Sequence, residues 1–167
     1  MQLYALCQWL QSTSWATGIR ESLDLYPALY TLHIFGFVIM VTATSVLDLR
    51  VLGLGLRSRS VSSVAHLALP WAQAGLAANL VTGFLVFAAQ AVNMYTNTAF
   101  RWKMAMVLLA GMNIVLIETA IKRNVGKWDE PGTTPPTVAR WSAVISILLW
   151  FGIVAMSRVI GFTGAHE

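Results

Sequence analysis

The sequence predicts an all-α fold: an integral membrane four-helix up-down bundle, preceded by a short N-terminal helix lying on the membrane surface. Three observations predict it. Four apolar runs are each long enough to cross a bilayer. Basic residues gather between particular runs. The chain is also too poor in charge to stay in water: of its 167 residues, 57% are hydrophobic and 11% charged, where a soluble domain carries about 25% charged residues. Mean hydropathy is +0.66.

About 20 apolar residues span the hydrocarbon core as a helix. The runs from about Tyr26 to Leu49, Val64 to Val92, Phe100 to Ile121 and Val138 to Ile160 meet that requirement. They form one bundle domain over residues 26–160, with a surface segment at 1–25 and a flexible tail at 161–167. Within the surface segment, Leu3, Leu6, Cys7 and Leu10 recur at helical spacing, and Trp9 and Trp15 supply interfacial anchors. The chain holds seven Trp, a residue that collects at membrane interfaces because its ring is apolar and its N–H polar. Pro27 falls near the start of the first run, where its missing N–H costs least. Pro70 falls inside the second and predicts a kink there, with Trp71 at the bend. The segment Trp128 to Pro136 is rich in Pro and Gly and reads as a loop.

Charge sets the expected orientation. Arg50, Arg57 and Arg59 lie between the first two runs, and Lys122, Arg123, Lys127 and Arg140 between the last two. The segment Asn93 to Ala99 carries no charge, although Arg101 and Lys103 follow it. The positive-inside rule places both basic loops in the cytoplasm and both termini outside. The net charge of +4 is therefore a membrane-topology signal. Nucleic-acid binders carry their charge in exposed basic patches, and no nucleic-acid partner is expected. The N-terminus lacks the basic start of a cleavable signal peptide, so residue 1 onward is expected to remain in the mature protein.

Polar groups inside hydrocarbon need a partner or a role. In the first run His33, Met40, Thr44 and Asp48 share one helix face. The second run has two polar sides, one with Asn79, Thr82, Gln90 and Asn93, the other with His66 and Gln73. The third aligns Lys103, Met106, Ala110 and Asn113, and the fourth Ser142, Ser146, Trp150 and Ser157. Asn79, Asn113 and the serines read as interhelical hydrogen-bonding groups, and Ala74, Gly75 and Ala78 as small residues for close helix approach.

His33 is the leading candidate site residue, with His66 second. An imidazole in this setting ligates haem iron or copper, relays protons, or bonds a neighbouring carbonyl. The two histidines are expected at opposite ends of the bundle, on the order of 15–20 Å apart by helix rise. A haem b held by both within one chain is therefore disfavoured, while one held by a single His, or by His33 from two subunits, stays open. Copper would need soft ligands; His33 with Met40 is the candidate pair, with Met94, Met104, Met106 and Cys7 nearby. The single cysteine, Cys7, allows no internal disulfide. There is no CxxC, HExxH or P-loop pattern, and no Ser–His–acid set at a shared depth. Arg20 with Glu21, and Asp48 with Arg50, read as local ion pairs at the two interfaces.

The segments Ser14-Trp15-Ala16, Ile19-Arg20-Glu21-Ser22, Tyr26-Pro27, Leu32-His33, Leu47-Asp48-Leu49-Arg50, Leu52-Gly53, Pro70-Trp71, Thr82-Gly83, Asn97, Ala99-Phe100 and Lys103 resemble an uncharacterised family of small bacterial four-span membrane proteins, a domain of unknown function. The resemblance covers roughly residues 12–120 and implies a topology and a bacterial inner membrane, with periplasmic termini, but no activity. More loosely, a Leu-His near the start of the first span is similar to cytochrome-b-like and copper-resistance CopD-like membrane proteins, which would make His33 a ligand. The expected function is a non-catalytic anchoring or accessory subunit of a larger membrane or periplasm-facing complex. Its expected partners are the lipid bilayer and either further copies of the chain or other subunits. The alternatives are a haem or quinone electron-transfer subunit and a copper-handling protein.

Overall fold

The computed structural model describes residues 2–129 and 133–163, and for 122–127 and 163 the backbone alone. All secondary structure among the described residues is helical. The surface segment is two short helices, α1 (Gln2–Ser12) and α2 (Ser14–Glu21). The bundle follows as α3 (Leu25–Val51), α4 (Val61–Ala89), α6 (Thr98–Trp128) and α7 (Thr137–Thr163). A further short helix, α5 (Ala91–Thr96), joins α4 to α6, so most of the uncharged connection is helical. Four helices among the described residues, over Leu25–Val51, Val61–Ala89, Thr98–Ile121 and Thr137–Phe162, are long and apolar enough to cross a membrane. At 1.5 Å per residue each is about 35–45 Å long and extends beyond a hydrocarbon core of about 30 Å.

α3 and α4 form the closest pair, and α6 packs mainly on α7. α3 also meets α7, whereas α4 touches α6 sparingly. The α3–α4 crossing depends on glycine. A Cβ on Gly75 would lie 2.8 Å from both the Gly36 carbonyl oxygen and the Met40 nitrogen. One on Gly36 would lie 3.2 Å from the Ala78 Cβ. Gly75 and Ala78 are thus at the contact, as expected.

Helix ends follow local chemistry. α3 stops where Gly53 takes φ +74, with Gly53 N–H donating to Arg50 O at 3.0 Å and Leu54 N–H to Leu49 O at 3.0 Å. This is a Schellman ending, which glycine permits at no steric cost. α4 begins at Ser60, whose Oγ accepts from Ser63 N–H at 3.1 Å. Asp129, just beyond α6, accepts from Val61 N–H at 2.8 Å and so ties the end of α6 to the start of α4. Desolvation pushes the Asp129 carboxyl up, but hydrogen bonds from Ser62 and Val61 and the nearby Arg50 charge outweigh it and hold the pKa below the ordinary carboxylate value. α4 runs unbroken through Pro70.

Some expectations need revision. α6 continues seven residues past Ile121, so the basic segment 122–127 is helical backbone. The side chains of Lys122, Arg123 and Lys127 lie outside the described residues, as do residues 130–132. α7 runs to Thr163, and residues 164–167 of the expected tail lie outside the described residues. Trp9, Trp15, Trp71, Trp102 and Trp141 are exposed, but Trp128 and Trp150 are buried core residues rather than interfacial ones.

Candidate functional site

The polar stripes of α3 and α6 face inward, whereas His66 and Gln73 on α4 are exposed. Met40, Thr44 and Asp48 are buried and His33 half-buried on α3; Lys103, Met106, Ala110 and Asn113 form the covered side of α6. The interior divides by depth. At the basic end, where the α3–α4 loop lies, Leu47, Val51, Val61, Val64, Ala143 and their neighbours form an apolar cluster. A second cluster at mid-depth holds Met40, Ala110, Trp150 and Ile153. His33 lies beyond both, toward the N-terminal helices.

His33 packs on α4. Its Nδ1 is 3.0 Å from Thr82 Oγ1. The Thr82 hydroxyl itself donates to the Ala78 carbonyl at 2.6 Å. A hydroxyl has one proton to give, so Thr82 receives from His33 and Nδ1 carries an N–H; the Asn79 backbone also bonds the ring. In the neutral ring with that tautomer Nε2 keeps its lone pair. The ring lies flush on Gly83, where an added Cβ would sit 3.0 Å from His33 Cε1. Lys103 is close enough to act on the ring electrostatically. No hydrogen bond or ion pair joins Lys103 to a described residue. Gln90 Nε2 donates to the Tyr26 hydroxyl at 2.9 Å and closes the interior about two turns further out.

The N-terminal helices cap this end. Gln11 Oε1 accepts from Val92 N–H at 2.8 Å, at the start of α5. Arg20 donates to the Ala89 carbonyl, at the end of α4, and to the Gln11 carbonyl, both at 3.3 Å. Backbone groups freed by the break between α4 and α5 are thereby satisfied from the surface segment. Gln11 was not singled out from the sequence; its position beside the apolar face of α1 was the available signal.

The other candidates separate. His66 is exposed near the basic end of α4. It stands sixteen residues from Thr82, the residue that holds His33, which is about 24 Å along the helix. The two imidazoles cannot share one haem. Met40 is 5% exposed and enclosed by Ala110, Trp150 and Ile153, while His33 turns to α4, so the two are not brought together. Cys7 is buried on α1, not at the surface. No cluster of three His, Cys, Asp or Glu residues occurs among the described residues.

Arg20 and Glu21 approach to 3.9 Å, but the Arg20 hydrogen bonds to carbonyls are its shorter contacts. Asp48 and Arg50 do not pair. Two positions apart on a helix, they point to different sides. Asp48 is 4% exposed and takes a hydrogen bond from Ser146, while its Oδ2 has no partner. Arg50 donates instead to the Arg59 carbonyl at 2.6 Å. Asn113 joins α6 to α7 reciprocally, donating to the Ser142 carbonyl at 2.9 Å and accepting from the Ser142 hydroxyl at 2.6 Å. Asn79 departs from the expected interhelical role and donates to Gly75 O of its own helix at 2.9 Å.

A model of a family of unknown function, DUF6644, matches residues 16–163. The chain belongs to that family. The match extends the resemblance through the fourth span. No curated protein matches the chain, and no solved structure does. The looser likeness to cytochrome-b-like proteins is not supported, and the separation of the two histidines agrees with that. Membership assigns the protein no reaction.

Proposed function

We propose that this DUF6644 protein is a non-catalytic accessory subunit of a larger complex in a bacterial inner membrane, with its basic loops cytoplasmic and its termini periplasmic. One observation carries the accessory role. Gln73 Nε2 donates to Glu118 Oε1 at 3.3 Å across α4 and α6. Gln73 is exposed, about 18 Å along α4 from Val61. Polar side chains at such depth normally face a bundle interior or a partner. The neighbouring surface of α6 is broad and apolar, with Leu108, Met112, Val115 and Leu116 each more than half exposed. A partner helix seated on the α4–α6 edge would cover both the polar pair and this surface. A photo-crosslinking residue at Leu80, two turns from Gln73 on the same side of α4, should trap a second protein or a second copy in membranes. The same residue at Phe151 on α7 should trap much less. Recovery of a lone monomer with no adduct at Leu80 would end this reading.

A second reading is supported by His33. Its Nε2 lone pair, the nearby Lys103 and the glycine-backed ring fit a single-ligand haem b or a quinone in the outer half of the bundle. His33 would bind and orient the group, and Lys103 would place positive charge beside it. Absorption spectroscopy on protein made with ample haem decides the haem form: absence of a Soret band rejects it. Copper handling keeps little support, since His33 and Met40 do not converge.

A further inference from the structure

A groove of about 660 Å³ runs along the α3–α4 seam on the lipid-facing side. This is within the range of small-molecule sites. Its walls are apolar, with Val38, Ile39, Val46, Leu67 and Trp71 among them, and Arg59 and Ser63 stand at its basic-end mouth. Ser63 and Trp71 are eight residues apart, so the groove extends about 12 Å along α4. Trp71 is 60% exposed and Leu67 71%, so the groove opens toward the bilayer.

The loop from Gly53 to Ser60 is shaped around this mouth. Arg50 Nε donates to the Arg59 carbonyl at 2.6 Å, and Arg57 Nε donates to the Gly53 carbonyl. Those two arginines hold the loop. The guanidinium of Arg59 has no hydrogen bond or ion pair among the described residues. Leu56, which also lines the groove, adopts φ +49. Bulky aliphatic residues rarely hold that left-handed conformation, and it persists where the surroundings fix it. The result is an exposed Leu56 and a free Arg59 at the end of an apolar channel.

We propose that the groove holds one acyl chain of an anionic phospholipid, with Arg59 on its phosphate and the Ser63 hydroxyl beside it. The apolar walls fit the chain. The planar guanidinium matches phosphate oxygens in a two-bonded fork. Among the described residues that line the groove Arg59 is the only charged one, so the lining itself offers no carboxylate to pair with the cationic head of a zwitterionic lipid. The groove is on a different side of α4 from Gln73, and the lipid site is independent of the accessory role.

Native mass spectrometry of the detergent-purified full chain tests this, titrated with dioleoylphosphatidylglycerol or dioleoylphosphatidylcholine. The phosphatidylglycerol should bind more tightly. Arg59→Gln should weaken it about fivefold, to the level of phosphatidylcholine. Arg57→Gln should retain the preference. Thr42→Trp, which fills the groove from an exposed position, should reduce binding of both lipids. The proposal is overturned if Arg59→Gln keeps the preference or if Thr42→Trp binds as the parent does. It is equally overturned if glycerol 1-phosphate competes as well as the whole lipid, or if the groove is closed by a second copy with no lipid retained.

Discussion

The two ends of the bundle are built from the same four helices and differ in what the helices enclose. Toward the basic end Leu47, Val51, Val61, Val64, Ala65 and Ala143 are almost fully covered and touch one another across α3, α4 and α7. Toward the N-terminal helices the interior holds His33, Thr82, Gln90 and Lys103, and the apolar clusters among the described residues stop short of it. The basic end is held by close packing, which is the main attraction between helices in lipid, where apolar burial gives little. The other end is held by hydrogen bonds and by the α1–α2 cap. A packed end fixes helix positions, leaving the polar end free to carry a ligand.

The α3–α4 crossing between the two ends is the place to break this arrangement most severely. Gly75→Leu would drive a side chain into the Gly36 carbonyl and the Met40 backbone, atoms that cannot turn aside. We expect a loss of about 1–3 kcal/mol or more, seen as a collapse of the folded peak in fluorescence-detected size exclusion after mild heating. Gly111→Ala is the matched control. Nothing lies within 4 Å of its added Cβ, and the helix should gain about 0.5–1 kcal/mol.

The cap at the other end should yield more gently. Arg20→Ala removes the donor to Ala89 O and Gln11 O. The expected cost is about 1 kcal/mol, the usual net worth of such bonds. Limited proteolysis should cut the segment before Ser22 faster in the variant while the bundle stays intact. Equal rates in variant and parent would show that apolar contacts alone hold α1 and α2.

A pH titration sharpens the comparison from the basic end. Asp129 caps α4 with its carboxyl held below its ordinary value of 3.8. A group whose pKa is depressed by folding stabilises the fold above its unfolded value and loses that contribution as pH falls through its folded one. The thermal midpoint should therefore decline below about pH 4 in the parent. Asp129→Asn should start lower and show less of this decline. Identical slopes would mean that another carboxylate governs the acid limb.

Much of this architecture was legible in the residues. Run length and hydropathy gave four spans, and 3.6-residue spacing placed the faces of His33, Asp48, Asn113 and Ser146 inward. The histidine separation followed from helix rise alone. Three things were not legible. The extension of α6 to Trp128 was hidden because Lys122, Arg123 and Lys127 read as loop by charge, although lysine and arginine are good helix formers. The role of Asp129 as a cap for α4 depends on two positions 68 residues apart, which no local pattern reports. The intrahelical bond of Asn79 depends on which rotamer fits beside Gly36, a question of packing at a few tenths of an ångström.

The smallest expected effect bears most directly on the candidate site. Thr82 can accept from His33 only because its own proton is committed to the Ala78 carbonyl. Thr82→Val keeps the shape and removes the acceptor. Stability should change by about 1 kcal/mol at most, so the decisive readout is the ring itself. Imidazole nitrogen chemical shifts of His33 should report a protonated Nδ1 and a bare Nε2 in the parent. They should report a mixture of tautomers in Thr82→Val. If both proteins give the same mixture, Thr82 does not set the tautomer, and Nε2 is not presented as a dedicated acceptor. If the parent alone is uniform, the polar end of the bundle prepares one nitrogen for a ligand, which the packed end has no means to do.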